Sequence, residues 1–442
     1  MEGGDEGSRG EDPPQIGLSG WPWARHREDV VTMKMPLEDV KVLDLSHALA
    51  GPFCSTLLGD FGAQVIKVEV PGVGDISRQW GPPFYHTETA YFVSLNRNKK
   101  SIEIDLKQAA GKELFFRLVE VCDVVLENFR VGTLQKLGLD YDKGRARNPG
   151  IVYCSVSGFG QSGPYRDRAA LDLIVQAESG MISVTGEPGS RGVRAGVSIA
   201  DMTAGLYAAF GIMNALRVKE KTGKGQYVDV SMLEGQLGLL QGTIGAYLAD
   251  GIVPEPMGTA YKALLPYQTF RTKTKDLALA VGSDRLWRIF CPIMGLEDMM
   301  TDPRFATNAD RVQNREVLIT RLQEVFLTKP YEEWEELLLK HGIPVGAINT
   351  IDQVVEHPQV KARGMIVEKD HPVAGQVRMV GVPLQLSETP GSVRDPAPLL
   401  GQHTDEVLQT YLGMRQDDIA ALRQAGVIGR RKGLSPQERK AG

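Results

Sequence analysis

The alternation of short apolar runs with helical stretches constrains the fold of this chain more than any other feature of its sequence. Val40–Leu45 and Gln64–Val70 predict two strands, and residues 53–61 between them predict a helix. Later strands are predicted at Ser101–Leu106, Asp123–Leu126, Ile151–Val156 and Gln226–Ser231, with helices at Lys112–Val121 and from Asp201 to about Thr222. Strands that alternate with helices pair in parallel. The pattern therefore predicts an α/β fold with a Rossmann-like, doubly wound sheet.

The pattern changes between about residues 255 and 375, where proline-marked connections separate predicted helices at Gln313–Leu327 and Tyr331–Lys340. This stretch indicates a smaller α+β domain, as expected for 442 residues, which exceed one ordinary hydrophobic core. The predicted limits are a disordered extension (1–35), a large α/β domain (36–230), the smaller domain with its linkers (231–380), a return to the large domain (381–428) and a disordered tail (429–442).

Charge and composition exclude several classes of protein. A net charge of −5 argues against a nucleic-acid partner, because phosphate contacts require a basic surface. The four cysteines and seven histidines are scattered without a CxxC or HxxxH spacing, so neither a metal site nor a disulfide framework is expected. No run of 18 apolar residues occurs, so no membrane partner is expected.

Residues 1–35 lack the apolar run of a secretory signal, and their acidic residues fit a mitochondrial transit peptide poorly. A cytoplasmic location is therefore expected, with the mitochondrial matrix as the alternative.

A literal GxGxxG occurs at 158–163, after a predicted strand. A dinucleotide site requires a helix to begin at such a motif. Here Pro164, Tyr165 and a charged run follow, so the motif is interpreted as a loop and no nicotinamide or flavin site is predicted.

Two aspartates precede predicted helical stretches. Asp201, before the small-residue helix, is by itself best interpreted as a helix N-cap. Asp172 could equally cap the stretch that follows it.

The cluster 96–100 is interpreted as a solvated turn, with a phosphate contact as the alternative. His47 could line a site at the carboxyl end of the sheet, or be an ordinary loop residue.

Seven motifs in order resemble the family III CoA-transferases, the formyl-CoA transferase and carnitine CoA-transferase type. They lie at 42–52, 62–69, 96–102, 123–129, 157–164, 222–226 and 398–404. The resemblance covers about residues 36–428. It implies an enzyme that transfers CoA between carboxylic acids and forms an interlocked homodimer.

The resemblance also implies site residues. The family's nucleophilic acid matches Asp201 best, with Asp172 as the alternative. CoA contacts are expected near Leu49, Ala50, Ile104, Lys107, Asn128, Phe129, Arg130 and Lys136. Some members place an arginine near the CoA nucleotide where this chain has Val70, and Arg78 or Lys136 could replace it. No tightly bound cofactor is expected, since CoA thioesters are the substrates.

Two rival functions follow from the same fold. The α-methylacyl-CoA racemases need two acid–base groups, and their pattern has a histidine where this chain has Leu171, which cannot carry a proton. A non-catalytic acyl-CoA-binding protein would not need the acids at 172 and 201.

Stretches at 258–270 and 310–315 resemble the branch of the family that pairs succinyl-CoA with glutarate or similar dicarboxylates.

Overall fold

A computed structural model of the protein describes residues 35–429. Residues 1–34 and 430–442, which hold nearly all of both predicted disordered ends, lie outside the described residues.

In chain order, the strands β1 to β13 span Lys41–Asp44, Gln64–Glu69, Phe84–Tyr85, Glu88–Thr89, Lys99–Glu103, Val124–Glu127, Val152–Ser157, Tyr227–Ser231, Tyr267–Phe270, Leu277–Ala280, Val345–Ala347, Ile366–His371 and Gly375–Val380. The helices α1 to α18 span Ala50–Asp60, Ala90–Leu95, Ala109–Val121, Thr133–Leu137, Tyr141–Arg147, Asp172–Glu178, Ile199–Thr222, Met232–Leu239, Gln241–Asp250, Asp284–Met294, Glu297–Thr301, Asn308–Gln313, Arg315–Phe326, Tyr331–Lys340, Ile351–Glu356, Pro358–Ala362, Thr404–Leu412 and Gln416–Gln424. Short 3-10 helices occur at Ile76–Gln79, Ile182–Val184 and Pro303–Phe305.

A parallel sheet of six strands forms the centre of the α/β part, in the order β5-β2-β1-β6-β7-β8. Counted along the chain, these are the third, second, first, fourth, fifth and sixth strands of the sheet. This is the order of doubly wound nucleotide-binding folds. The predicted α/β fold with a Rossmann-like parallel sheet is therefore confirmed.

The sheet is buried because helices cover its apolar side chains. Leu114, Phe115 and Leu118 of α3 join the buried cluster of strand residues, and Leu408 and Ile419 of the closing helices α17 and α18 complete it. The predicted helix at 112–121 presents the expected apolar face to this core.

The described residues divide into two compact units. Unit 1 comprises 35–167, 202–231 and 355–429, and unit 2 comprises 168–201 and 232–354. Unit 2 has its own aromatic core, which includes Trp287, Phe290 and Trp334, and an antiparallel sheet of β9, β10 and β11.

Residues 168–201 belong to unit 2 and residues 355–380 belong to unit 1. The limits predicted from the sequence instead placed 168–201 in the large domain (36–230) and 355–380 in the smaller one (231–380). The chain passes from unit 2 to unit 1 inside α7, between Asp201 and Met202, where no change of composition marks the passage.

The GxGxxG motif lies in a loop that follows β7 and continues to α6, as predicted. Gly160 and Gly163 have φ angles of 86° and 84°, which explains glycine at both positions. The four cysteines are free and buried.

One described helix, α7, is long and apolar enough to cross a membrane by length and composition alone. Its residues Ala204, Ala208 and Ile212 are fully buried, as in the core helix of a globular protein.

Candidate active site

The carboxyl ends of β1 and β6 define the switch point of the sheet, because the chain runs outward in opposite directions from these neighbouring strands. Ligands of open α/β folds bind in the crevice at this point. The predicted CoA contacts Leu49 and Ala50 follow β1, while Asn128 and Phe129 follow β6. The topology thus brings the two groups to the same edge of the sheet.

Reciprocal hydrogen bonds join the two loops at the switch point. The His47 N–H donates to Asn128 Oδ1 (2.9 Å), and Asn128 Nδ2 donates to the His47 carbonyl (2.8 Å). The His47 and Phe129 rings lie 5.3 Å apart. Burial lowers the pKa of His47, which favours its neutral imidazole. A neutral ring in this position can pack against a ligand without adding charge.

The other predicted CoA residues lie farther along the sheet edge or on its surface. Ile104 follows β5 and is buried, with a bridge to Ile428. Lys107 is exposed after the same strand, and Arg130 and Lys136 are exposed after β6. Exposed cations of this kind are available to phosphate groups.

Arg78 is committed to the protein itself. Its guanidinium donates to both carboxylate oxygens of Glu69 (2.7 and 2.8 Å) and stacks on Phe92, with 3.7 Å to the ring centroid. Val70 is 59% exposed. Of the two suggested replacements for the arginine missing at Val70, Lys136 is the one with an exposed side chain.

The cluster at 96–100 is neither a solvated turn nor a phosphate contact, since Asn96 through Lys99 are buried. Arg97 forms a bidentate pair with Asp60 (2.8 and 2.6 Å) and donates to the Val380 carbonyl. Asn98 also donates to Asp60 and accepts the N–H of Arg394. Arg97 and Asn98 therefore anchor the returning chain near 380–395, and for residues 96–99 both sequence interpretations are wrong. Lys100 is partly exposed and pairs with Glu406.

Asp172 and Asp201 both lie in unit 2. Asp172 is the first residue of α6 and is 8% exposed. Its Oδ1 accepts the backbone N–H of Ala200 at 2.9 Å, and its Oδ2 accepts the Gln176 amide at 2.7 Å. The Arg194 guanidinium lies 4.0 Å from the same Oδ2. Asp172 is thus held in place by three groups.

Asp172 takes the capping role that the sequence assigned to Asp201. Helix α7 begins at Ile199, so Asp201 lies inside its first turn instead of preceding it. The Ala200 N–H is one of the unpaired donors of that turn, and Asp172 accepts it from another helix. The N-cap interpretation of Asp201 is therefore wrong.

The Asp201 carboxylate is half-buried and, within residues 35–429, accepts no hydrogen bond. Burial raises the pKa of Asp201 to about 7, and the negative charge of Asp172 adds to the rise. A carboxylate that is poorly solvated and unpaired is a stronger nucleophile than one in water, and such perturbed acids are concentrated at functional sites.

Sequence reasoning missed the residues that organise this pair. Gln176 is fully buried, donates to Asp172 and accepts the N–H of Ala195 at 2.9 Å. Its position four residues after Asp172, on one face of α6, was the available signal. Arg194 had no local signal, because its contact with Asp172 is not local in sequence.

Within residues 35–429, no group of three or more His, Cys, Asp or Glu side chains could hold a metal ion.

Comparison with known proteins gives a consistent set of relatives. Residues 37–404 match the sequence profile of CoA-transferase family III. The human succinyl-CoA:glutarate CoA-transferase is 40% identical over 404 residues, which cover 91% of this chain and 92% of that relative. The succinyl-CoA–D-citramalate CoA-transferase of Chloroflexus aurantiacus is 39% identical over 394 residues, which cover 89% of this chain and 98% of that relative.

A solved structure is similar as well. The crystal structure of a CAIB/BAIF family protein from Brucella suis superimposes with a TM-score of 0.77 at 38% sequence identity. The match covers 86% of this chain and 100% of that chain.

Proposed function

Because the chain belongs to CoA-transferase family III and is an enzyme that transfers CoA, we propose that it moves CoA from succinyl-CoA to glutarate through a covalent intermediate on Asp201. The family resemblance found in the sequence motifs is confirmed. The observation that carries the proposal is the desolvated, unpaired Asp201 carboxylate beside the anchored Asp172.

Asp201 begins the reaction as a carboxylate. One of its oxygens attacks the thioester carbonyl of succinyl-CoA, the C–S bond breaks, and CoA leaves as a thiolate. The product is a mixed anhydride between Asp201 and succinate. The thiolate then attacks the aspartyl carbonyl, which releases succinate and leaves CoA on Asp201 as a thioester.

The acceptor repeats these steps in reverse. A glutarate carboxylate attacks the aspartyl thioester and displaces the thiolate, which gives an aspartyl–glutaryl anhydride. The thiolate attacks the glutaryl carbonyl, so glutaryl-CoA forms and Asp201 is again a carboxylate. No water enters the balance, and the free energy of the thioester is conserved in each step.

The start of α7 supports this chemistry. Asp201 lies in the first helical turn, where backbone N–H groups are not used within the helix. Donors of this kind stabilise a developing oxyanion, and removal of one typically costs about 3–4 kcal/mol. Asp172 accepts one of these groups itself and so orients the turn.

The substrate pair is supported by two relatives that name succinyl-CoA as donor and different acids as acceptor, glutarate and D-citramalate. The test is an acceptor screen with succinyl-CoA and purified protein, read by mass spectrometry of the acyl-CoA products. We expect glutaryl-CoA as the main product. No transfer to glutarate, citramalate or any other dicarboxylate would contradict the substrate assignment.

The intermediate is tested by trapping. After incubation with succinyl-CoA, hydroxylamine should convert the aspartyl thioester into a hydroxamate on the peptide that contains Asp201. Asp201→Ala should lose the label and lower transfer by roughly 10⁴-fold or more, with CoA still bound. A hydroxamate on Asp172 instead would move the nucleophile to that residue.

The racemase alternative is disfavoured by Leu171. It stands where a racemase has histidine, it is 76% exposed, and its side chain has no proton to exchange. Deuterium incorporation at the α-carbon of a branched acyl-CoA would restore that alternative.

An interlocked homodimer is part of the proposal. Along α7, Leu206, Phe210 and Met213 are between 41% and 68% exposed and lie on one face. An apolar stripe of this kind on a monomer marks a protein interface, and a second copy of the chain is the partner proposed for it.

A further inference from the structure

Ala48 is a strained residue in the loop between β1 and α1. Its φ angle is +67°, in the left-handed region that alanine enters at a cost in free energy and glycine enters freely. Strain of this kind persists only where neighbouring contacts hold it. Neighbouring groups must therefore hold Ala48 in this conformation.

Asp75 supplies the contact on one side. Its Oδ1 accepts the N–H of Ala48 at 3.1 Å, and the same oxygen accepts the N–H and hydroxyl of Ser77. Asp75 is 4% exposed, so it acts on the loop through the backbone and presents almost no surface to a ligand.

Lys67 links the Asp75 carboxylate to Ser46, two residues before Ala48. Its Nζ lies 2.8 Å from Asp75 Oδ2 and donates to the Ser46 carbonyl at 2.7 Å. Lys67 is fully buried in β2. The Lys67–Asp75 ion pair therefore holds the loop at two backbone groups, the Ser46 carbonyl and the Ala48 N–H.

The opposite side of the loop is held by Asn128, which bonds both the N–H and the carbonyl of His47. Helix α1 begins at Ala50, and Leu49, its N-cap residue, makes no side-chain capping bond. The geometry of residues 46–50 thus depends on contacts from outside the loop.

We propose that Asp75 is a positioning residue for CoA binding: with Lys67 it holds Ala48 in its left-handed conformation and thereby fixes residues 46–50 at the edge where CoA docks. The inference rests on the proposed docking of CoA at the switch point of the sheet. Asp75 is 4% exposed, so its role is to act through the loop it holds and not by direct contact with CoA.

The test is steady-state kinetics with succinyl-CoA, combined with calorimetric titration of CoA. Asp75→Ala removes the acceptor for Ala48 and should raise KM and Kd about tenfold, with kcat changed less than about twofold. Asp75→Asn keeps an oxygen for the Ala48 N–H and should stay within about threefold of the native KM.

A second substitution separates positioning from general stability. Ala48→Gly removes the cost of a positive φ, so in the Asp75→Ala background it should return KM most of the way to the native value. His86 is a matched control, because it also has a positive φ (55°) but lies in the turn between β3 and β4. His86→Gly should restore nothing.

Loss of the Asp75 charge leaves Lys67 buried beside fewer acids, so Asp75→Ala could fail to fold. The double variant Asp75→Ala with Lys67→Met removes both charges and should show the same rise in KM. An unchanged KM in the folded variants, or equal rescue by His86→Gly, would overturn the inference.

Arg130→Ala distinguishes this result from failure of the proposed docking. Arg130 is an exposed residue of the predicted CoA set. If Arg130→Ala raises KM and Asp75→Ala does not, only the positioning role is wrong. If neither changes KM, CoA docks elsewhere and the inference falls with the docking site.

Discussion

The protonation state of Asp201 sets a pH dependence. Burial and the charge of Asp172 raise its pKa to about 7, and only the ionised form can attack a thioester. We therefore expect kcat/KM to rise about tenfold per pH unit below pH 7 and to level off above it. Asp172→Asn removes the neighbouring negative charge, so the midpoint should move to lower pH. A flat profile between pH 5 and 8 would contradict Asp201 as the nucleophile.

Glu127 carries a second perturbed carboxyl, at the end of β6. Burial raises the pKa of Glu127 to about 7, and the charge of Asp229 adds to the rise, although hydrogen bonds from Ser155 and the Phe129 N–H oppose it. Because this folded-state pKa lies above that of the unfolded chain, the native state loses stability as pH rises from about 4.5 towards 7.

Glu127→Gln should therefore gain stability relative to the native protein as pH increases. The difference in the free energy of unfolding, measured by urea titration, should favour the variant by more at pH 8 than at pH 5, with a gap of roughly 1–3 kcal/mol. Glu324→Gln, on the exposed face of α13, should show no such trend. A gap of the opposite sign would contradict the raised pKa.

At the scale of elements, α6 and α7 depend on each other through one hydrogen bond. Asp172 of α6 accepts the Ala200 N–H in the first turn of α7. Asp172→Ala should cost about 1–2 kcal/mol of stability, as loss of a helix cap does, whereas Asp172→Asn keeps an acceptor and should cost less. Urea unfolding of the two variants measures both. Equal losses would show that the carboxylate charge, and not the cap, matters.

The elements themselves were largely predictable. Strand β1 lies within the predicted 40–45, and α14 has the predicted limits Tyr331–Lys340, because strands and amphipathic helices leave local periodic patterns. The GxGxxG was correctly interpreted as a loop from the residues that follow it. Local rules failed where partners are distant in sequence: Asp172 caps α7 from 28 positions away, and Asp60 pairs with Arg97 from 37.

The candidate site shows the same limit. The family resemblance suggested the two acids as candidates, but no local pattern distinguishes an anchored Asp172 from an unpaired Asp201. That difference arises from Gln176, Arg194 and the backbone of Ala200, which only the folded chain brings to Asp172. The strained Ala48 was invisible for a similar reason, since alanine gives no sequence signal for a positive φ.

At the scale of the whole molecule, the exposed face of α7 predicts association between two copies of the chain. Phe210 is 68% exposed on this face, at a position where a monomer would leave a large apolar ring in water. Helix α7 is long enough to span a membrane, but one of its sides packs buried alanines against the protein. Its exposed apolar side therefore fits a protein interface better than a lipid bilayer. We expect light scattering after gel filtration to give twice the chain mass of 48.4 kDa.

Phe210→Glu tests the surface that forms this dimer. A charge placed on a buried apolar interface is strongly unfavourable, so the variant should dissociate or weaken the dimer. Leu339→Glu introduces the same charge at an exposed apolar residue of α14 and should leave the mass unchanged. If Phe210→Glu remains fully dimeric, the face of α7 is not the interface. If the native protein is a monomer, the interlocked assembly is wrong, while CoA transfer through Asp201 stands on its separate assay.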